Sequence, residues 1–241
     1  MDRNEIHLII IGDEILSGKR EDKHFKKSLD LVKQNNYLIK SVTYLPDSEY
    51  EIQSKIENLK DKIIFCFGGI GATPDDHTRL SAANAHNKLL TQHADAVKLI
   101  ENKFGKEAYP KRILMADLPD GSELIPNSIN MIPGFCINKH FFMPGFPEMA
   151  WPMMEWIFKN KLPPSNKIEF DQSIIIPNIA ESLLIDLMNQ IENDFPLVKM
   201  YSLPKITPQK QVEIGVKGDK RQVLSAMEMV KKYVKELGYH F

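Results

Sequence analysis

At 241 residues the chain is long enough for one large α/β domain with a proper core and a small second domain. Lys and Arg total 31 against 32 Asp and Glu, a net charge of -1 that excludes the basic face generic nucleic-acid binding requires. No apolar run approaches a membrane span and the first residues lack the order of a signal peptide. The two cysteines, Cys66 and Cys136, sit in apolar stretches without zinc-site spacing, so a reducing, cytoplasmic setting is expected.

Residues 6–11 (IHLIII) read as a buried strand opening onto Gly12-Asp13-Glu14. A helix follows with Phe25, Leu29 and Val32 on its core face, while the run Lys23-His24-Phe25-Lys26-Lys27 reads as a solvated face. The second strand, 37–45, ends at Pro46-Asp47. Ser48 and Glu51 then form a capping box for a helix with Ile52, Ile56 and Leu59 on its apolar side. The third strand is 63–67. Strands alternating with helices, apolar on both faces, predict a parallel sheet covered on two sides.

Two helical stretches fill about 78–116, the second with Val97, Ile100 and Phe104 inward. Short strands are expected at 122–127, 130–137 and 140–143, with Asn138-Lys139 as a hairpin turn. The helix after Pro144-Gly145-Phe146-Pro147-Glu148 carries a stripe of Trp151, Met154 and Phe158, either core or dimer surface. The first domain then spans 1–160 and a linker 161–167, with Pro163-Pro164. A small α+β domain spans 168–241, with strands at 169–176, 197–203 and 211–217 and helices at 178–193 and 222–237.

In an open parallel sheet, ligands bind outside the carboxyl ends of the strands. Those ends carry Gly12-Asp13-Glu14, Asp47, and the turn from Gly68 to Asp76. Gly68, Gly69 and Gly71 permit close approach to the backbone, whose N–H groups suit a phosphate. Asp75 and Asp76 would repel that phosphate unless a divalent cation such as Mg²⁺ stood between, which makes them the metal candidates. Glu14 or Asp47 would orient the attacking water. A ligand-free alternative is a plain helix start, with Thr73 as N-cap, Pro74 at N1 and both acids in the first turn. Arg79 pairs either with phosphate or with Asp75. The segment 144–148 reads as a turn or as a backbone ligand loop carrying Glu148. No Ser/His/Asp constellation or Walker A lysine is present.

Three motifs, "IIIGDEILSG", "FGGIGATPDDHTR" and "MPGFPEM", in this order, resemble the molybdopterin-binding-fold domain of the competence/damage-inducible CinA proteins, over about residues 4–160. The resemblance implies a three-layer α/β domain, a homodimer, and metal-dependent cleavage of ADP-ribose-type pyrophosphates. The family is also similar to enzymes that adenylylate molybdopterin or insert molybdate. It puts an essential acid on Asp76 and a second on Asp47, and its glycine-loop pattern includes Thr73 and Thr78. It matches ligand-contacting segments to Gly12-Asp13-Glu14 and to Pro144, Gly145 and Glu148. After Gly18 this chain reads KREDKHF where the family carries an Asn-Thr-Asn-like stretch. The part from Ile168 resembles the small domain that follows in CinA. Pro177-Asn178 replaces a glycine usual there, so no role is carried over to 179–184. With the chain ending at Phe241, no amidase activity is expected.

Three functions follow as expectations. One is a Mg²⁺-dependent nucleotide pyrophosphatase acting on ADP-ribose or a related dinucleotide. The second is a molybdopterin-binding or adenylylating protein. The third is a non-catalytic nucleotide sensor or scaffold, dimerising through 151–158. In each the partner is a small phosphate-bearing ligand, with no nucleic acid and no membrane.

Overall fold

The computed structural model describes residues 4–165 and 170–241. The chain forms two compact units, Met1–Lys167 and Ile168–Phe241.

The first unit opens with β1 (Glu5–Ile11), α1 (Asp13–Leu16), α2 (His24–Gln34), β2 (Leu38–Leu45), α3 (Glu49–Asn58) and β3 (Ile63–Phe67). It continues with α4 (Thr78–Ala85), β4 (Leu90–Gln92), α5 (Ala94–Phe104), two 3-10 turns at Gly105–Ala108 and Arg112–Ala116, and β5 (Asp117–Pro119). β6 (Glu123–Ile125), β7 (Gly134–Ile137), β8 (His140–Met143) and α6 (Pro147–Asn160) complete it. The main sheet has the order β2-β1-β3-β8-β7-β6. β2, β1, β3 and β8 run parallel, and β7 and β6 return antiparallel. β4 and β5 form a separate two-stranded ribbon.

Helices cover both faces, which makes this a three-layer α/β unit. One core packs the sheet against α2 and α6 through Leu31, Val32, Met153, Met154, Ile157 and Phe158. The other holds Ile52, Ile56, Ala82 and Ile100 against Phe135 and Phe142. β3 is buried at every residue because it is central. β2 is not apolar on both faces as expected: it is the edge strand, and its burial is partial until Leu45. The inward face of α2 is also shifted. It is His24, Ser28, Leu31 and Val32, while Phe25 stands 40% exposed. Met154 and Phe158 are core residues, the core alternative for that stripe, while Trp151 is half-buried. Burial pushes the thiol pKa values of both cysteines up.

Leu162 belongs to the first core, the Tyr37 hydroxyl donates to Pro163 O (3.0 Å), and Asn36 Nδ2 donates to Ser165 O (3.1 Å). The first part of the expected linker therefore packs on this unit. The rest of it, with the first residues of the expected strand, lies outside the described residues.

A histidine pair sits under the sheet. His140 is fully buried, with Nε2 3.2 Å from Leu59 O and Nδ1 3.0 Å from His86 Nε2. A carbonyl only accepts, so His140 Nε2 carries the proton and Nδ1 takes a hydrogen bond from His86. Burial, with His86 adding to it, lowers the His140 pKa to about 4. Folding thus favours the neutral ring. Its stabilisation is complete above pH 6.5 and is lost as pH falls from 6.5 towards 4, by about 3 kcal/mol. Urea unfolding at pH 7 and pH 4.5 is expected to show this loss, with His140→Gln flattening the difference; equal pH dependence in the variant would refute the assignment.

The second unit consists of β9 (Phe170–Pro177), a 3-10 turn at Glu181–Leu184, α7 (Ile185–Asp194), β10 (Val198–Lys205), β11 (Gln211–Gly218) and α8 (Lys220–Glu236). Its antiparallel sheet has the order β10-β11-β9. Ile176, Met200, Ile214 and Val216 pack with Leu187, Ile191 of α7 and Val223, Val230 of α8. The alternate residues Ile175 and Leu203 are exposed. Asp219 caps α8 by accepting from the amides of Arg221 and Gln222, both at 3.1 Å. The expected helix at 178–193 becomes α-helical only from Ile185.

Candidate functional site

Because β1, β2, β3 and β8 are parallel, their carboxyl ends share one edge of the sheet. Ile125 pairs with Gly134 and Phe135 with Phe142, so the β6–β7 connection reaches the same edge. A cavity of about 510 Å³ opens there. Gly12, Glu14, Asp47, the glycine loop, Pro144 and Gly145 line it.

The first two loops are tied to each other. Gly12 N–H donates to Leu45 O (3.1 Å) and Asp13 N–H to Asp47 Oδ2 (2.9 Å). The Asp47 pKa is raised, mainly by burial and further by the charges of Asp13, Glu14 and Asp75; the bond from Asp13 N–H acts against this. Asp13 itself is exposed and does not line the cavity.

The turn after β3 is not the plain helix start that its sequence allowed. Gly68 has φ 103°, and a Cβ there would lie 2.5 Å from Ile11 O, so glycine is obligatory. No helix starts at Thr73. Asp76 instead folds back, accepting from Gly71 N–H (2.9 Å), from Thr73 N–H (2.8 Å) and from the Thr73 hydroxyl. Three donors for one carboxylate outweigh what the first turn of a helix offers it, and α4 begins only at Thr78. The crowding at Gly71 comes from this carboxylate, which a Cβ would approach to 2.6 Å. The amides of Gly69, Ile70 and Ala72 donate to no group among the described residues.

Two expected ligand contacts turn away from the cavity. Thr78 is buried, its hydroxyl donating to Gly68 O and its amide to Gly69 O, both at 2.9 Å. Arg79 places Nη1 on Leu114 O (2.5 Å) and Asp117 O (2.9 Å), and Nη2 on Gly71 O (2.8 Å). It faces these carbonyls rather than Asp75 or the cavity, and braces the loop from behind. Glu148 is exposed on the first turn of α6 and does not line this cavity. Gly145 backs against Gly68, a Cβ on it lying 3.4 Å from Gly68 Cα. His24, expected on a solvated face, is buried. It stacks on Phe67 with centroids 4.4 Å apart, and its Nε2 lies 3.2 Å from Gly145 O.

Among the described residues, no group of three or more His, Cys, Asp or Glu side chains is arranged to hold a metal. An all-protein cage is therefore not formed. Mg²⁺ commonly needs only one or two carboxylates beside ligand phosphates, and Asp75 in the cavity wall fits that smaller demand.

Residues 7–164 match the family described as "Probable molybdopterin binding domain". The chain belongs to this family. As a member of the molybdopterin-binding-domain family, it is similar to a protein of Archaeoglobus fulgidus, 27% identical over 203 residues, covering 83% of this chain and 86% of that one. It is 28% identical over 159 residues to a CinA-like protein of Syntrophotalea carbinolica, covering 62% of this chain and 39% of that one. In structure it resembles the CinA protein of Thermoplasma acidophilum, described as of unknown function, with a TM-score of 0.62 at 23% identity, covering 66% of this chain and 99% of that one.

Several residues of this domain escaped sequence reasoning. Arg20 lies on the rim, Nη1 3.7 Å from Glu14 Oε1 and its guanidinium 6.0 Å from the Phe146 ring centroid. It falls in the KREDKHF segment, where the departure from the family was the available signal. Asn127 and Asn130 line the far side, and their i, i+3 spacing in a turn was the signal passed over. Ile70, Phe104, Met115 and Ile132 add an apolar wall.

Proposed function

We propose that the cavity binds a pyrophosphate-linked nucleotide and hydrolyses it with the help of a divalent cation, ADP-ribose and related dinucleotides being the first candidates. One observation carries this reading: unengaged amides at Gly69, Ile70 and Ala72 share a cavity with the carboxylates of Glu14, Asp47 and Asp75. Amides of this kind suit phosphate and carboxylates repel it, so the pair makes sense around a cation. Asp75 with the ligand's own phosphates would hold Mg²⁺, whose chemistry there would be neutralisation of phosphate charge. The loop amides orient the phosphates, and Arg20 adds positive charge at the rim. Asp47 Oδ2 is occupied by Asp13 N–H, which leaves Oδ1 to take a proton from the attacking water. The apolar wall excludes other water and receives a planar ring.

Molybdopterin binding or adenylylation is the second reading, favoured by the description of the matched family. The test is a hydrolysis screen with ADP-ribose, NAD, FAD and ATP, with Mg²⁺, Mn²⁺, Co²⁺ or none, beside Asp76→Asn. Metal-dependent AMP release is expected, lowered in the variant because an amide nitrogen cannot accept from the loop. No release from any substrate, with molybdopterin bound in calorimetry, would transfer the site to the second reading. Tight nucleotide binding without turnover would leave a sensor.

A further inference from the structure

The cavity has two flanks, one on each face of the sheet. Ile70, Phe104, Met115 and Ile132 form the apolar wall and pack against the core that α3, α4 and α5 close. The opposite flank is built from the segments that lead into α2 and α6, the helices of the other face. It carries Arg20, ahead of α2, and Phe146, the N-cap of α6. Between the flanks runs the glycine loop after β3, which Gly145 meets at Gly68. The amides suited to phosphate therefore stand between two lateral surfaces of different make.

Phe146 is 52% exposed, although it is an aromatic ring in a cavity wall. The Arg20 guanidinium stands over that ring, its carbon 6.0 Å from the centroid. This is the outer limit of a cation–π contact. It is also wider than the spacing of stacked groups, about 3.5 Å. A planar heterocycle between guanidinium and phenyl needs two such spacings, about 7 Å, so the side chains must part by only about 1 Å to admit one. Little opposes that movement. Arg20 Nη1 and Glu14 Oε1 are 3.7 Å apart with side chains 56% and 42% exposed, a pair that costs little to loosen. Among the described residues Arg20 is also the one Lys or Arg side chain lining the cavity.

We propose that Phe146 and Arg20 form a stacking subsite for a second planar ring, so that the preferred ligand carries a heterocycle at both ends of its pyrophosphate. The inference rests on the nucleotide reading of the cavity and narrows it to true dinucleotides. One ring lies on the apolar wall, the pyrophosphate on the glycine-loop amides, and the other ring between the Arg20 guanidinium and the Phe146 face. ADP-ribose, with one ring, still binds but leaves a subsite empty. Phe146 supplies apolar area and Arg20 a delocalised plane, and both stack without needing a particular ring edge. The subsite is therefore tolerant of base identity and selective for the presence of a ring.

The test compares two methylene-bridged analogues by titration calorimetry in Mg²⁺: adenosine joined through a P–C–P bridge to a second adenosine, or to ribose alone. Neither is hydrolysed at the bridge, and they differ in the second adenine. The wild-type chain is expected to bind the two-ring compound about tenfold more tightly. Phe146→Ala, checked for folding by thermal melting, should bring the two affinities within about twofold, with the one-ring compound close to its wild-type value. Phe146→Trp should keep the preference. Arg20→Met should shrink it, even though lost charge at the rim weakens both compounds. Equal affinities in the wild type, or a preference that survives Phe146→Ala or Arg20→Met in full, would overturn the subsite and leave the nucleotide reading standing. Binding of neither compound to the wild type would overturn that reading, and this inference with it.

Discussion

The Asp47→Asn variant is expected to lose roughly two to four orders of magnitude in turnover on a pyrophosphate substrate, with ligand affinity little changed. Asp47 accepts Asp13 N–H through Oδ2, and an asparagine can keep that bond through its own Oδ1 while losing the basic oxygen. The loop tie therefore survives and the proton acceptor does not. The pH profile carries the same signature. A general base works deprotonated, so kcat/KM should rise with pH through the Asp47 pKa. Burial and the neighbouring Asp13, Glu14 and Asp75 place that acid limb above the ordinary aspartate range. An acid limb at or below the ordinary value, or an Asp47→Asn variant within tenfold of wild type, would remove Asp47 as the base.

Arg79→Met should destabilise the first unit by about 3–5 kcal/mol, lowering its thermal midpoint by roughly 10 °C. Arg79 is 9% exposed and bridges Gly71 O, Leu114 O and Asp117 O. Methionine fills much of the space but takes the guanidinium donors from three carbonyls, of which Leu114 O keeps the Asp117 N–H. Burial lowers the Arg79 pKa, opposed by Asp117 and then Asp76. Arg79→Lys should recover only part of the loss, because a single ammonium cannot span carbonyls from three segments. A midpoint within 2–3 °C of wild type for Arg79→Met, about 1 kcal/mol or less, would show that water or other groups satisfy the carbonyls.

The parallel strands were legible because each is a short apolar run ending at glycine or proline, and parallel pairing sends such ends to one edge. The strand pattern alone therefore places Gly12, Asp47 and Gly68 together. Side chains whose partners come from other elements were less legible. Arg79 is charged and near a glycine loop, yet it faces backbone carbonyls more than 30 residues away. His24 sits among lysines but is drawn inward by Phe67 and Gly145 O. The asparagine turn reaches the site because β7 runs antiparallel to β8, as the hairpin expected at Asn138-Lys139 requires, but nothing in its own residues points to the site.

The clasp formed by Asp76 on Gly71 and Thr73 has a consequence for how a ligand arrives. The glycine loop is held by its own carboxylate, so the backbone carrying the unengaged amides at Gly69, Ile70 and Ala72 is already ordered before anything binds. Little backbone freedom is left to lose on association, and the entropic penalty that usually accompanies ordering a loop falls away. Encounter then resembles the docking of two rigid shapes, with on-rates governed by charge and diffusion rather than by waiting for the protein to rearrange.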